Sequence, residues 1–203
     1  IMSFGERLST MVITEILKSK GIAAEFCDAR QIIRTDAAYG MGDVNYEITN
    51  HLILEHFAKS TALQCITGFI ASTAEGTTTT LGRGGSDYTA SIVGAALEAD
   101  SIEIWTDVDG MMTADPRKVA NAFTIPSISY AEAMELSHFG ARVVYPPTVH
   151  PARAKNIPLG ELEAKLAGAI KNKAAPLILV CASGARSGRG TLGGRCRLSP
   201  AAL

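Results

Sequence analysis

The residues whose types and spacing best suit ligand binding or catalysis form a glycine-rich stretch, LGRGGSDYTA, from Leu81 to Ala90. Three glycines surround an arginine and are followed by a serine and an aspartate. The stretch lacks the Gly-Lys-Ser/Thr ending of a P-loop and the G-x-G-x-x-G spacing of a dinucleotide-binding turn. Ser86 can cap a helix that continues through Leu97. The sequence therefore predicts a ligand-binding loop at the start of a helix that is neither a P-loop nor a dinucleotide-binding turn.

Helices and strands alternate along the chain and must position this loop. Apolar periodicity predicts helices over residues 3–21, 45–58, 86–97 and 130–137, and strands over residues 22–27, 63–70 and 101–106. Such alternation is typical of an α/β fold with a largely parallel sheet sandwiched by helices. Ligands of these folds bind at the carboxyl ends of the strands. We therefore expect the loops after Ile70 and Thr106 to face one pocket.

The first two helices allow predictions about their ends and faces. Ser3 and Glu6 have the spacing of a capping box, and Gly21 is expected to end the first helix. The apolar residues of that helix share one face: Leu8, Met11, Val12 and Ile16. The inward candidates of the second helix include Ile48, Leu52 and Phe57.

Composition indicates a globular protein, since 47% of the 203 residues are hydrophobic and 19% are charged. The net charge of −1 argues against a general nucleic-acid-binding protein. The four cysteines show no C-x-x-C spacing, which favours free thiols in a reducing compartment. No apolar run reaches the roughly 18 residues of a membrane span. His138 and His150 have no partner residues at metal-ligand spacing, so we expect both to be structural. We also expect a cytoplasmic protein without a membrane partner.

Four motifs occur in order along the chain: SFGERLST at 3–10, TLGRGGSDYTA at 80–90, WTDVDGMMTADPR at 105–117 and FGARVVYP at 139–146. In order and spacing they resemble the aspartate kinase family, from Ile1 to about Pro158. That family has the amino acid kinase fold. The resemblance implies a catalytic domain over residues 1–158, acting in amino-acid biosynthesis. Its reaction transfers the γ-phosphate of ATP, bound with Mg²⁺, to the β-carboxylate of L-aspartate.

The same resemblance implies roles for individual residues. The substrate-binding set is Glu6, Arg83, Gly84, Ser86 and Asp87, with Arg83 and Asp87 as catalytic residues. The planar guanidinium of Arg83 suits the α-carboxylate, and the two acidic side chains suit the α-ammonium. The nucleotide-binding set is Thr106, Asp107, Met112, Arg117 and Arg142. No general base is needed, because the accepting carboxylate is already ionised at neutral pH.

Three of these residues also have simpler interpretations. Glu6 can merely complete its capping box. Asp87, in the first turn of a helix, can simply complement the helix dipole. Arg117 follows a turn at Asp115 and Pro116, where a solvated arginine is ordinary.

The chain departs from the family pattern at several positions. Arg142 stands where many members have lysine, and Met112 stands where they have a tyrosine. The family's front strand, with a lysine that binds the ATP phosphates, has no counterpart at or after Ile1. We therefore expect a truncated domain, impaired or inactive by itself, with an exposed sheet edge and exposed apolar helix faces. Self-association through those surfaces is a further expectation.

A second resemblance begins at about Ala154 and continues to Gly190. This segment resembles the rear half of a rhodanese-like sulfurtransferase, with a helix, a strand and a C-x-x-G-x-R-S loop. In that alternative Cys181 is the nucleophile, supported by Arg186, and a nest of backbone N–H groups lowers the pKa of the thiol. The predicted boundaries are 159–190 for this fragment and 191–203 for an unassigned tail.

Two alternatives to a kinase therefore stand beside it. One is the sulfurtransferase, and the other is a non-catalytic chimera that binds a partner or itself. From Lys165 onward every charged residue is basic, which is a pattern of nucleic-acid-binding tails. No aromatic residue accompanies these charges to stack on bases, so a nucleic-acid partner is not expected.

Overall fold

The computed structural model describes residues 2–104, 111–115, 117–138, 145–157, 159–161 and 178–181. The α-helices in these ranges are α1 (Met2–Ser19), α2 (Tyr46–Phe57), α3 (Gly85–Ala96), α4 (Tyr130–His138) and α5 (Pro146–Ala154). The strands are β1 (Ala24–Cys27), β2 (Leu63–Thr67), β3 (Ile70–Ser72), β4 (Thr78–Thr80), β5 (Ile102–Ile104), β6 (Leu159–Glu161) and β7 (Ile178–Cys181). A 3-10 turn covers Ala29–Gln31.

Most of the strand pairs are parallel. β2 lies between β1 and β7 and is parallel to both, and β5 is parallel to β6. β3 and β4 form an antiparallel pair. β7 lies in the segment predicted to be rhodanese-like, and it pairs with β2 of the preceding segment. The predicted α/β class with largely parallel strands is confirmed.

Different helices cover the two faces of β2. Cys65 packs with Leu17 of α1, whereas the next residue, Ile66, packs in a cluster with Ile53 of α2 and Ile92 of α3. Successive side chains of a strand point to opposite faces. The sheet is therefore sandwiched by helices, and its larger core lies on the side of α2 and α3.

The first helix buries a different face from the apolar one. The side chains that α1 buries belong to Glu6, Thr10, Thr14 and Leu17. The two threonine hydroxyls donate to the carbonyl oxygens four residues earlier, at 2.8 and 2.7 Å, which satisfies them inside the fold. The apolar side chains are 49–65% exposed: Leu8, Met11, Val12 and Ile16. The capping-box prediction is wrong, because α1 already includes Met2 and Ser3 lies inside the helix.

The predicted end of α1 is confirmed, and α2 confirms two of its three inward candidates. Gly21 has a φ of +80°, as expected for a glycine that closes a helix. Leu52 and Phe57 pack against the main core. Ile48 is 45% exposed, because Ile53 takes the fully buried position of α2 instead.

None of the helices in the described ranges has the length and apolar character to span a membrane.

Candidate active site

The glycine-rich stretch forms a turn that leads into α3. Gly82 and Gly84 have φ angles of +74° and +67°, in the left-handed region that glycine adopts without strain. A Cβ atom on Gly84 would lie 2.9 Å from the Cβ of Tyr145. A Cβ on Gly85 would lie 2.8 Å from Cδ2 of Phe69. The turn therefore needs glycine both for its conformation and for close packing.

The N-terminus of α3 is suited to an anion. Gly84 is the N-cap residue and has no side chain to accept a hydrogen bond from the first turn. Ser86 lies inside that turn, so the prediction that Ser86 caps the helix is wrong. The first N–H groups of a helix lack acceptors within it, and the helix dipole makes this end positive. A carboxylate or phosphate group can therefore bind at the first turn of α3.

A break in the predicted strand 63–70 brings this turn to the sheet. β2 ends at Thr67, and Phe69 has a φ of +71° before β3 begins. The carbonyl oxygen of Phe69 accepts the N–H of Leu81 at 2.9 Å. β4 lies between β3 and the glycine-rich turn, and it pairs with β3. The glycine-rich turn therefore begins beside the carboxyl end of β2.

A cluster of charged side chains lies at the carboxyl end of β1. Asp28 directly follows β1 and is 6% exposed. Arg30 donates to it through Nε, 2.9 Å from Oδ1, and through Nη2, 2.7 Å from Oδ2. Arg7 of α1 places Nε 3.0 Å from Oδ2 without an aligned hydrogen bond. This contact brings the N-terminal part of α1, including Glu6, to the carboxyl edge of the sheet. Glu6 is 4% exposed there.

Electrostatics keep the Asp28 carboxyl group ionised. Burial alone would raise its pKa, but the hydrogen bonds and charge of Arg30, with the charge of Arg7, outweigh burial and lower it. Burial, with the charge of Asp28, raises the pKa of the adjacent Cys27 thiol to about 12. Cys27 is therefore not a nucleophile at neutral pH. Cys27 and Cys65 are free thiols, as predicted.

The predicted nucleotide-binding residues are described only in part. The side chain of Arg117 is 87% exposed, and its Nε lies 3.1 Å from Oδ1 of Asp115. Met112 is half-buried and makes a backbone bridge with Thr124. Three predicted residues lie outside the described residues: Thr106, Asp107 and Arg142. The placement of the nucleotide therefore remains a prediction.

Of the two residues predicted for a sulfurtransferase site, only Cys181 lies within the described residues. Cys181 ends β7, with its backbone opposite Thr67 of β2. Arg186 lies outside the described residues. Within the described ranges, no group of three or more His, Cys, Asp or Glu side chains could hold a metal ion. The rhodanese-like hypothesis therefore stays a prediction from sequence.

Comparison with known proteins identifies the family. The model of the amino acid kinase family matches residues 1–159. The chain belongs to the amino acid kinase family. Its α/β fold and the glycine-rich turn at the carboxyl edge of the sheet are therefore parts of an amino acid kinase domain.

The relatives of this amino acid kinase domain include aspartokinases. Lysine-sensitive aspartokinase 3 of Escherichia coli is 39% identical over 183 residues, which are 89% of this chain and 39% of that protein. The aspartokinase of Chlamydia pneumoniae is 36% identical over 78% of this chain and 36% of its own length. The structure of E. coli aspartokinase III with aspartate and ADP superposes with a TM-score of 0.71 at 40% identity. That match covers 77% of this chain and 36% of the other, so the chain spans well under half of these relatives.

Sequence reasoning missed two features of this amino acid kinase domain. The Asp28 cluster was not predicted, although a polar residue just after a strand, with arginine two positions later, was a usable signal. The left-handed conformation of Phe69 was not predicted either, because no glycine marks it. Among the predicted substrate-binding residues, Arg83 is exposed and Ser86 and Asp87 are half-buried in the first turn of α3.

Proposed function

We propose that this domain binds L-aspartate and ATP and transfers the γ-phosphate to the β-carboxylate of aspartate. The observation that carries the proposal is the N-terminus of α3, which has no side-chain cap. The N–H of Gly85 donates to the carbonyl oxygen of Gly82 at 3.1 Å, so the N–H groups that follow it in the first turn are the ones that would face a ligand. The turn begins beside the carboxyl end of β2, and Arg7, the neighbour of Glu6, contacts Asp28 at the carboxyl end of the adjacent strand β1. The structure of E. coli aspartokinase III was solved with aspartate and ADP, which supports the same ligands here.

Aspartate carries two carboxylates and one ammonium group, and the proposed site offers a partner to each. Arg83 is exposed, and its guanidinium forms no ion pair within the part of the chain that the structure describes. Its planar fork can hold the α-carboxylate with two hydrogen bonds. The carboxylates of Glu6 and Asp87 would bind the ammonium. The β-carboxylate would then lie toward the first turn of α3, where phosphate transfer takes place.

The proposed chemistry depends on position and charge. An oxygen of the β-carboxylate attacks the γ-phosphorus, the bond to the bridging oxygen of ADP breaks, and an acyl phosphate forms with ADP as the leaving group. Catalysis then consists of aligning two anions and neutralising their repulsion. Backbone N–H groups at the start of α3 would stabilise the transferring group. Mg²⁺ would arrive bound to the phosphates of ATP and reduce their charge.

Thermal unfolding with and without ligands tests the proposal. Mg-ATP and L-aspartate, each at about 100 times its dissociation constant, should each raise the midpoint by roughly 5–10 °C. Replacing Arg83 by alanine should weaken L-aspartate binding by about 2 kcal/mol, roughly thirtyfold, because a charge-assisted contact is lost. Isothermal titration calorimetry measures this loss directly.

Arg153→Ala is the matched control, since Arg153 is another exposed arginine, on α5. That variant should bind L-aspartate as the parent chain does. An unchanged midpoint in the parent chain with both ligands would contradict the proposed function. Equal weakening in the two arginine variants would contradict the role of Arg83.

The exposed face of α1 favours self-association as a second property. The stripe of Phe4, Leu8 and Met11 has helical spacing, and its side chains are 68%, 65% and 49% exposed. We propose a second copy of the chain as the occupant, with the two α1 helices antiparallel. Glu15 borders the stripe and its side chain is 70% exposed. Its carboxylate pairs with Lys18 of the same helix at 2.8 Å, so the charges at this end of the stripe are already balanced.

Sedimentation velocity of Leu8→Glu tests the pairing. The parent chain should form dimers with rising concentration, and the charged variant should stay monomeric, because burying an unpaired charge is costly. Leu54→Glu is the control, since Leu54 is a similarly exposed leucine (52%) on α2. A monomeric parent chain, or an equal effect of both substitutions, would argue against an α1 interface.

A further inference from the structure

The hydroxyl of Thr89 connects two parts of the candidate site that are far apart in the sequence. Thr89 lies in α3 and is fully buried. Its Oγ1 accepts the N–H of Phe69 at 3.1 Å and donates to the carbonyl oxygen of Gly85 at 2.8 Å. A hydroxyl can perform both roles at once. One atom therefore joins the break after β2 to the first residue of α3.

Phe69 needs such a contact because its backbone is unusual. Its φ of +71° is in the left-handed region, which is costly for a residue with a side chain. The N–H of Phe69 is held by Thr89, and its carbonyl oxygen is held by the N–H of Leu81. The Phe69 ring in turn lies against Gly85, as the 2.8 Å approach to a Cβ at that position shows. The conformation of Phe69 and the position of Gly85 therefore depend on each other.

We propose that Thr89 is the positioning residue of the glycine-rich turn. Its hydroxyl sets the place of Gly85 relative to the carboxyl end of β2, and so the direction of the N–H groups in the first turn of α3. The proposal rests on the proposed function only for the identity of the ligand, L-aspartate. The geometry of the turn is a property of the free chain.

The test compares Thr89→Val with Thr89→Ser by hydrogen–deuterium exchange and by L-aspartate titration. Valine keeps the branched shape but leaves the Phe69 N–H without its acceptor, so exchange at Phe69 and over residues 81–87 should increase. Affinity for L-aspartate should fall by about tenfold or more. Serine retains the hydroxyl and should restore both slow exchange and affinity.

Ser91→Ala is the matched control, because Ser91 is another fully buried hydroxyl of α3 and its Oγ has no hydrogen-bond partner among the described residues. It should leave exchange in the turn and affinity unchanged. Equal exchange in Thr89→Val and Ser91→Ala would overturn the proposal, as would faster exchange with unchanged affinity. If the parent chain does not bind L-aspartate but the exchange contrast is present, the proposed function fails and the positioning role stands.

Discussion

Alanine at position 84 is expected to destabilise the domain by about 2–5 kcal/mol and to abolish its response to ligands. The left-handed φ of +67° costs a residue with a Cβ about 1–2 kcal/mol. The new Cβ would also lie 2.9 Å from the Cβ of Tyr145, and such overpacking costs about 1–3 kcal/mol. Denaturant unfolding of Gly84→Ala and thermal unfolding with Mg-ATP and L-aspartate measure the two effects.

Gly76→Ala separates the backbone effect from the packing effect. Gly76 has a φ of +84°, and a Cβ there would have no neighbour within 4 Å. Its substitution should cost only the backbone penalty of about 1–2 kcal/mol and leave ligand binding intact. Equal destabilisation of the two variants would show that Tyr145 moves aside without cost, which would contradict the packing explanation.

Asparagine at position 28 should destabilise the domain by about 2–3 kcal/mol at neutral pH. The substitution removes the negative charge that faces Arg7 and Arg30 and leaves both without an anionic partner. Breaking a fully buried pair costs about 3–5 kcal/mol, and the effect here is smaller because the two arginine side chains are 34% and 26% exposed. Denaturant unfolding of Asp28→Asn measures the loss.

The effect of Asp28 should depend on pH in a definite direction. Its pKa is lower in the folded protein than in the unfolded chain, so the ionised group stabilises the fold above the ordinary aspartate pKa of about 4. That stabilisation is lost as the pH falls through the folded-state pKa. The difference between parent and variant should therefore be constant near neutrality and shrink in acid. A difference that grows in acid would contradict this assignment.

Asp115→Asn is the matched control for Asp28→Asn. Both aspartates receive Nε and Nη2 of the arginine two residues later. They differ in environment, since the side chain of Arg117 is 87% exposed. Exposed ion pairs contribute little to stability, so this variant should unfold like the parent. Comparable losses at the two positions would mean that burial does not decide the strength of the contact.

The fold class was predictable from sequence because it depends on local patterns. Compact apolar runs at 63–70 and 101–106 predict strands, whose observed bounds are shorter, and helical periodicity between them predicts the covering helices. The glycine-rich turn was predictable for a similar reason, since Arg83, Ser86 and Asp87 are adjacent in the chain. A contiguous motif brings its residues together whatever the rest of the fold does.

The charged cluster was not predictable in the same way, because its members come from separate elements. Arg30 extends from Asp28 to the hydroxyl of Thr78 in β4, at 2.9 Å, and Arg7 reaches Asp28 from α1. Each is an ordinary polar residue in the sequence. Only the parallel pairing of β1 with β2 and the packing of α1 place them at one edge.

By itself the sequence determined that α1 has one apolar face and that a glycine turn precedes α3. Only the tertiary structure decided that α1 buries the opposite face, with Glu6, Thr10 and Thr14, and that Gly84 rather than Ser86 is the cap of α3. Periodicity records which side chains share a face, but burial depends on which surface packs against the sheet. The left-handed cap likewise depends on Tyr145, more than fifty residues away, which leaves room at position 84 for hydrogen alone.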